Sequence, residues 1–426
     1  MGDELTQMRE RLAAQVMAAN QMMGETVAGA LRDVPRHLFL PELRPELAYT
    51  DEAIVTKRDE SGRPISSSSQ PAMMAIMLVQ LDLAPGQRVL EIGAGTGYNA
   101  ALIRHVIGGS GQVTSVDIDR ELVEKARAHL AAAGYPDVTV LCADGAGGCP
   151  AYAPYDRIIA TVGVSDLAPA WLEQAGPAAR IVVPLDVRGT QVCVAFARAG
   201  DGHWASRSLA PCGFMRMRGS IAGPEAIVPL APGLYITLPD GVIQPGGQEA
   251  DGEALGAVMA RPPVLRPTGI SAGPAEVFWE LGLWLATREP RACRVDEEQP
   301  ADPAVTRPRL GHAPLRGRGW HATVGILDPG SIAVLTVQMP APGPAEPWHD
   351  DASGPITLVA AGFGPAGAEL ADDLVAHARA WDRAGRPGVA GLRVDAYPKP
   401  AARALEPGRG ALIIDRPSTR FVVSHA

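Results

Sequence analysis

The chain has 426 residues, 46% of them hydrophobic, and a formal net charge of −9. That length accommodates two or three domains with substantial cores, and the interspersed acidic and basic residues argue against a nucleic-acid or membrane surface. Five scattered cysteines (Cys142, Cys149, Cys193, Cys212 and Cys293) lack metal-ligand spacing, and Cys142 and Cys193 lie in apolar runs, so buried free thiols in a reducing cytoplasm are expected. The acidic start Met1-Gly-Asp-Glu4 is unlike a signal peptide, and no apolar run reaches membrane-spanning length.

Residues 3–31 carry Leu5, Met8, Leu12, Val16, Ala19 and Met23 at helical spacing, with Gly24 and Gly29 marking a break. A loop-rich region follows, and Lys57 to Arg63 reads as a polar turn. Next come Ile65-Ser-Ser-Ser-Ser-Gln-Pro71 and an apolar helix from Met73 to Leu81. Serines before Pro71 have a structural explanation as helix caps. The alternative is a strip of hydroxyls beside a ligand.

The most informative stretch is Arg88-Val-Leu-Glu-Ile-Gly-Ala-Gly-Thr-Gly-Tyr98. An apolar run meets Gly93, Gly95 and Gly97 and then a helix pattern, which predicts strand, tight turn and helix, with bare backbone open to a ligand. Asp117 ends the next strand, 20 residues after Gly97, where a doubly wound sheet places an acid for a ribose diol. Tyr98 stands where a dinucleotide fingerprint needs glycine, so S-adenosylmethionine is favoured over NAD. Strands at 88–92, 112–117, 138–142, 156–162, 180–185 and 191–197 alternate with helices at 99–107, 120–133 and 167–175. This alternation predicts an α/β fold with a parallel, doubly wound sheet and a ligand at the strand C-terminal ends.

Residues 222–275, 297–318 and 340–355 read as Pro/Gly-rich and loop-like. Between and beyond them, strands at 321–327, 332–338, 356–360, 389–396, 411–415 and 420–424 and a helix at 366–384 predict a second α/β unit. Phe278, Trp279 and Trp284 are expected to pack in a core rather than form a peptide-binding ledge. His37 is read as structural or peptide-adjacent, and Asp166 as the cap of the helix after it.

Several segments together resemble the protein-L-isoaspartate O-methyltransferases: Val34-Pro-Arg-His-Leu-Phe-Leu-Pro41, Ala48-Tyr-Thr-Asp51, Ser68-Ser-Gln-Pro71, Val89 to Asn99, Asp144-Gly145, Ala153 to Gly163 and Arg180-Ile-Val-Val-Pro184. The resemblance implies a class I, Rossmann-like, S-adenosylmethionine-dependent fold. Residues 1–84 would form its N-terminal helical and substrate-loop segment, 85–220 the cofactor-binding core and 221–426 a C-terminal α/β accessory domain. It also implies methyl transfer to an Asp or isoAsp carboxylate of a peptide or protein, with S-adenosylhomocysteine as product and a succinimide (aspartimide) to follow. By position, Ser69 is implied at the reaction centre. Glu91, Gly93, Ala94, Gly95, Gly97, Asn99, Asp117, Ile118, Asp144 and Gly145 are implied on the cofactor, and Ser68, Gln70, Pro71, Thr161, Val162 and Gly163 on the substrate. No metal is implied. The long form is similar to methyltransferases associated with lanthipeptide and graspetide gene clusters, which points first to tailoring of a cyclised, ribosomally made peptide (a RiPP). General isoaspartyl repair is the alternative, and the sequence leaves the oligomeric state open.

Overall fold

The computed structural model describes residues 2–20, 24–60, 62–224, 226–238, 250–273, 275–298, 320–337, 356–399 and 411–425. Met23, most of the loop-like stretch 297–318 and all of 340–355 lie outside the described residues. The chain divides into two compact units. One comprises Met1–Asp186, Gln191–Gly223 and Arg393–Ser424; the other comprises Val187–Thr190, Pro224–Leu392 and His425–Ala426.

In the first unit, α1 (Gly2–Ala19) and α2 (Glu25–Asp33) bury Leu12, Val16 and Leu31, and the break falls at Gly24. The short helix α3 (Pro45–Ala48) leads to a hairpin of β1 (Ile54–Arg58) and β2 (Pro64–Ser68). The predicted polar turn is the tip of this hairpin: Asp59 accepts from the Arg63 backbone N–H at 2.9 Å, and Gly62 has a φ of 84°. Then follow α4 (Pro71–Leu81), β3 (Arg88–Ile92), α5 (Tyr98–Ile107), β4 (Gln112–Asp117), α6 (Arg120–Ala132), β5 (Thr139–Cys142), β6 (Tyr155–Ala160), α7 (Pro169–Gln174), β7 (Ala175–Val187), β8 (Thr190–Arg198) and β9 (Trp204–Pro211).

The strands β5-β4-β3-β6-β7 are neighbours in that order and pair in parallel. The order in which successive strands are added therefore reverses between β3 and β6, which opens a crevice beyond their C-terminal ends. The sheet is mixed rather than wholly parallel, because β8 and β9 pair antiparallel. Strand β9 was not anticipated from the sequence.

The second unit contains β10 (Ala226–Ala231), β11 (Leu234–Leu238), α8 (Gly252–Met259), β12 (Val264–Ala272), a π-helical turn Glu276–Leu281 running into α9 (Gly282–Arg288), β13 (Ala292–Glu298), β14 (Trp320–Asp328), β15 (Ser331–Val337), β16 (Ile356–Phe363) and α10 (Gly367–Arg383). Its seven strands run β10-β11-β13-β14-β15-β16-β12, and all the pairings described are antiparallel. Alternate residues enter different cores: Ala333 and Leu335 pack with Leu370, Leu374 and Trp381, whereas Ile332 and Val334 pack with Ile236 and Leu255. The sheet is thus buried on both faces.

The loop-like reading of 222–275 fails here. Pro229 and Pro267 lie in β10 and β12, the two edge strands, where a missing N–H is tolerated. Gly252 and Gly256 let α8 approach β10 closely, since an added Cβ would lie 2.2 Å from Pro229 O and 1.9 Å from Leu230 O. Phe278 and Trp284 pack against the core that holds Leu281 and Leu285.

The expected boundary of an accessory domain at 221–426 is also corrected. The chain leaves the first unit near Gly223 and returns to it at Arg393. Here β17 (Leu392–Pro398) pairs with β9, and β19 (Thr419–His425) and β18 (Leu412–Asp415) complete a ten-stranded sheet. Phe421 is fully buried with its ring 6.5 Å from that of Phe196. Asp166 does not cap a helix: its carboxylate accepts from Leu167 N and, at 2.7 Å, from Ser418 N, fastening the returning segment.

Candidate active site

The glycine turn is built from below. Glu91 is completely buried, and its carboxyl group accepts hydrogen bonds from Asn99 Nδ2 (2.8 Å) and Ser115 Oγ (2.5 Å). Burial pushes this carboxyl up to about 7, against the two donors that favour its charged form. The interactions join β3 to the start of α5 and to β4. Glu91 and Asn99, expected on the cofactor, therefore support the turn; Glu91 presents no surface to the crevice.

Gly93 turns the chain with a φ of 100°, and a Cβ there would lie 2.7 Å from Thr161 Oγ1. Thr161 N donates to Ile92 O at 2.8 Å, and the Thr161 hydroxyl donates to Gly93 O at 2.7 Å. Thr161 was expected on the substrate, but its hydroxyl is committed to the turn. Gly97, at φ 89°, starts α5 and leaves only 3.2 Å between an added Cβ and Ala126 O. Ala94 between these glycines is buried.

At the end of β4, Asp117 accepts from Gly95 N and Asp119 N, each at 3.0 Å, one through each carboxylate oxygen. Each oxygen keeps a lone pair for a further donor such as a ribose hydroxyl. The neighbouring Ile118 is 40% exposed, an apolar surface suited to a flat heterocycle. Tyr98 is buried behind the turn. A carboxylate, an apolar platform and a turn without the third dinucleotide glycine fit an adenosine group better than a pyrophosphate.

Asp144 and Gly145 follow β5. Asp144 accepts from Ala146 N (2.9 Å) and Ser220 N (2.8 Å), while a Cβ on Gly145 would lie 2.5 Å from Ile92 Cγ2. Burial would raise the Asp144 carboxyl, but these N–H donors outweigh it and hold the group below its ordinary value. The segment 214–220 was not singled out in the sequence. It reaches this end of the sheet through reciprocal bonds of 2.8 Å, Gly163 N to Met215 O and Met217 N to Gly163 O. Val162 is half-buried beside it and Gly163 is buried. Cys142, expected to be buried, is exposed at the end of β5; the other four cysteines are buried, and all five are free.

The serine segment runs along the glycine turn: a Cβ on Gly95 would lie 3.6 Å from Ser67 O. Ser68 Oγ is buried without a partner, and Ser69 is half-buried with no partner for its hydroxyl among the described residues. Neither serine caps α4. Asp51 does so from the 48–51 turn, accepting from Ala72 N at 2.8 Å and from Gln70 Nε2 at 3.1 Å, with Pro71 in the first turn. The capping explanation for the serines is thereby removed. The β1–β2 hairpin is fastened by Lys57, which donates to Asp119 at 2.8 and 2.9 Å and to Glu121 at 2.7 Å. His37 Nδ1 faces Tyr49 Oη at 2.7 Å, and burial lowers the imidazole's basicity, in keeping with a structural role.

Asp51, Lys57, Ser115 and the 214–220 segment were missed as site-building residues. Asp51 lay in a segment of the resemblance, Lys57 at the start of the polar turn and Ser115 in the strand 112–117, whereas the 214–220 segment carried no signal.

Residues 7–221 match the family model described as protein-L-isoaspartate(D-aspartate) O-methyltransferase. Over 212 residues, 50% of this chain and 91% of the relative, the sequence is 38% identical to the protein-L-isoaspartate O-methyltransferase of Methanopyrus kandleri. Over 225 residues, 51% of this chain and 91% of the relative, it is 37% identical to that of Hyperthermus butylicus. The match covers the glycine turn, the serine segment and the strand ends that frame the crevice. The chain belongs to the protein-L-isoaspartate(D-aspartate) O-methyltransferase family and is an S-adenosylmethionine-dependent methyltransferase.

Proposed function

We propose that this enzyme methylates the α-carboxylate of isoaspartyl residues in peptides and proteins, the first step of general repair. The observation that carries the reading is the approach of the serine segment to the glycine turn at Ser67, two residues before a Ser69 hydroxyl unpartnered among the described residues, beside an acid and an apolar surface that suit an adenosyl group. The relatives, named for this activity, support repair better than tailoring; nothing in them supports a cyclised precursor peptide as substrate. Five unpaired cysteines are in keeping with a reducing cytoplasm, and no described helix is long and apolar enough to cross a membrane.

Bound S-adenosylmethionine supplies an electrophilic methyl group on a sulfonium. Asp117 would hold the ribose hydroxyls, Ile118 and the Asp144-Gly145 turn would meet the adenine, and the backbone around Gly93 and Gly95 would let the cofactor approach closely. The accepting carboxylate is ionised at neutral pH, so no side chain needs to remove a proton. Ser69 donates its hydroxyl to one carboxylate oxygen and leaves the other aimed at the methyl carbon. Ser68, Gln70 and Pro71 shape that wall, and Val162 and Gly163 form the strand end along which the peptide lies. One C–O bond would form as the C–S bond of the bound cofactor breaks, with the electron pair left on sulfur. Rate therefore comes from alignment and exclusion of water.

The test is mass spectrometry after incubation with S-adenosylmethionine and either a linear isoaspartyl peptide or a macrocyclic peptide containing ordinary aspartate. Methyl esterification of the linear peptide is expected. Modification of the macrocycle alone would restore the tailoring reading.

A further inference from the structure

Among the described residues, Arg36 is the largest charged side chain that is fully enclosed, and no carboxylate pairs with it. Its guanidinium instead collects three backbone carbonyls, two from residues 48–52 and one from the serine segment. Nε donates to Ala48 O at 2.9 Å, and Nη2 donates to Glu52 O at 3.4 Å and Ser69 O at 3.1 Å. The same group lies 5.0 Å from the centre of the Tyr98 ring, and Tyr98 directly follows Gly97. Burying a cation costs free energy, and Nη1 is left without a partner among the described residues, but the rigid fork still reaches three carbonyls at once where an ammonium on a flexible stem does not. One side chain therefore ties the main chain of Ser69 to the first residue of the helix behind the glycine turn.

We infer that Arg36 is a positioning residue for methyl transfer. Through the Ser69 carbonyl and the Tyr98 ring it sets the distance between the Ser69 hydroxyl and the cofactor turn. The inference rests on the proposed role of Ser69. Asp51 assists from the other side by capping α4 at Ala72, which limits movement of residues 69–72 without touching Ser69 itself.

Arg36→Lys keeps the charge and loses the fork. Should that variant fold poorly, Arg36→Gln, which keeps a neutral donor, is read in the same way. The experiment combines steady-state kinetics on a linear isoaspartyl peptide with calorimetric titration of S-adenosylhomocysteine and a double-mutant cycle with Ser69→Ala. The expected result is a fall in kcat of about 100-fold in the wild-type background. The peptide KM and the S-adenosylhomocysteine affinity should stay within about threefold. In the Ser69→Ala background the same substitution should cost no more than about threefold. An equal loss in both backgrounds would overturn the inference and make Arg36 a general scaffold residue. A parallel loss of S-adenosylhomocysteine affinity would overturn it too, by assigning the effect to the cofactor turn. Full activity of Ser69→Ala alone would instead remove the role of Ser69, and the inference with it.

Discussion

Each unit of this protein buries a glutamate, and the two are handled in opposite ways. Glu91, under the glycine turn, meets only the neutral donors Asn99 and Ser115, and burial raises its carboxyl to about 7. Burial would raise Glu289 in the second unit as well, but Arg291 donates to both of its oxygens at 2.9 Å and His377 lies 3.2 Å away, which brings it down to about 2. Arg291 also reaches Asp373 at 2.9 Å, so one guanidinium is shared between two carboxylates. The parallel strands of the first unit bring Asp117 and Asp144 to one end of a sheet, and the serine segment after the β1–β2 hairpin adds unpartnered hydroxyls near the glycine turn. In the second unit, the cluster around Glu289 pairs its charges with one another. A self-paired cluster contributes to stability, whereas a site left incomplete can accept a ligand.

The largest effect that would sharpen this contrast comes from the turn itself. Gly93→Ala places a methyl 2.7 Å from Thr161 Oγ1 at a φ of 100°, and S-adenosylhomocysteine affinity should fall by at least about 100-fold in a calorimetric titration. Near-normal affinity would mean the cofactor does not sit against this backbone.

The next effect is a difference in pH dependence. Glu91 has a raised native pKa, so the folded state holds its proton from about 4.5 to about 7 after the unfolded chain has released it. Stability associated with this group therefore declines as pH rises through that window, by about 3 kcal/mol in total. Glu91→Gln, which keeps an oxygen for Asn99, should flatten that decline in urea unfolding measured from pH 5 to pH 8. Glu289 is depressed, so its contribution is present above about 4.5 and is lost as pH falls towards about 2. The two variants Glu91→Gln and Glu289→Gln should thus alter opposite ends of the pH profile. Identical profiles would contradict the comparison.

The smallest effect on chemistry is expected from Arg291→Ala. It strands Glu289 and should lower unfolding free energy by about 2 kcal/mol while leaving kcat on a short isoaspartyl peptide unchanged. A clear fall in kcat would tie the second unit to the reaction itself.

The contrast also explains what the sequence made legible. The glycine turn is a contiguous run, and Asp117 follows at the spacing that one βαβ unit imposes, so local reading placed both. The surroundings of Ser69 depend on Arg36, Asp51 and Lys57, which come from 12 to 33 positions earlier in the chain and announce themselves by no spacing. The β1–β2 hairpin was hidden because Lys, Arg, Ser and Thr occupy most of its positions, leaving no apolar alternation. Asp166 looked like a helix cap because its partner, Ser418, is 252 residues away. Prolines concealed β10 and β12, since a proline in an edge strand and one in a loop look alike before pairing is known. The return of β17 to β9 likewise required knowledge of which strand lacked a neighbour.

The central claim is that the crevice at the ends of β3 and β6 presents an isoaspartyl carboxylate to a methyl donor. Its most direct test is the kcat/KM of the full chain for a linear isoaspartyl peptide against its ordinary aspartyl twin, read as methyl ester by mass spectrometry. The account predicts efficient methylation of the isoaspartyl peptide and at least about 100-fold less of the aspartyl one. Equal rates on the two, or methylation of the aspartyl peptide alone, would contradict it.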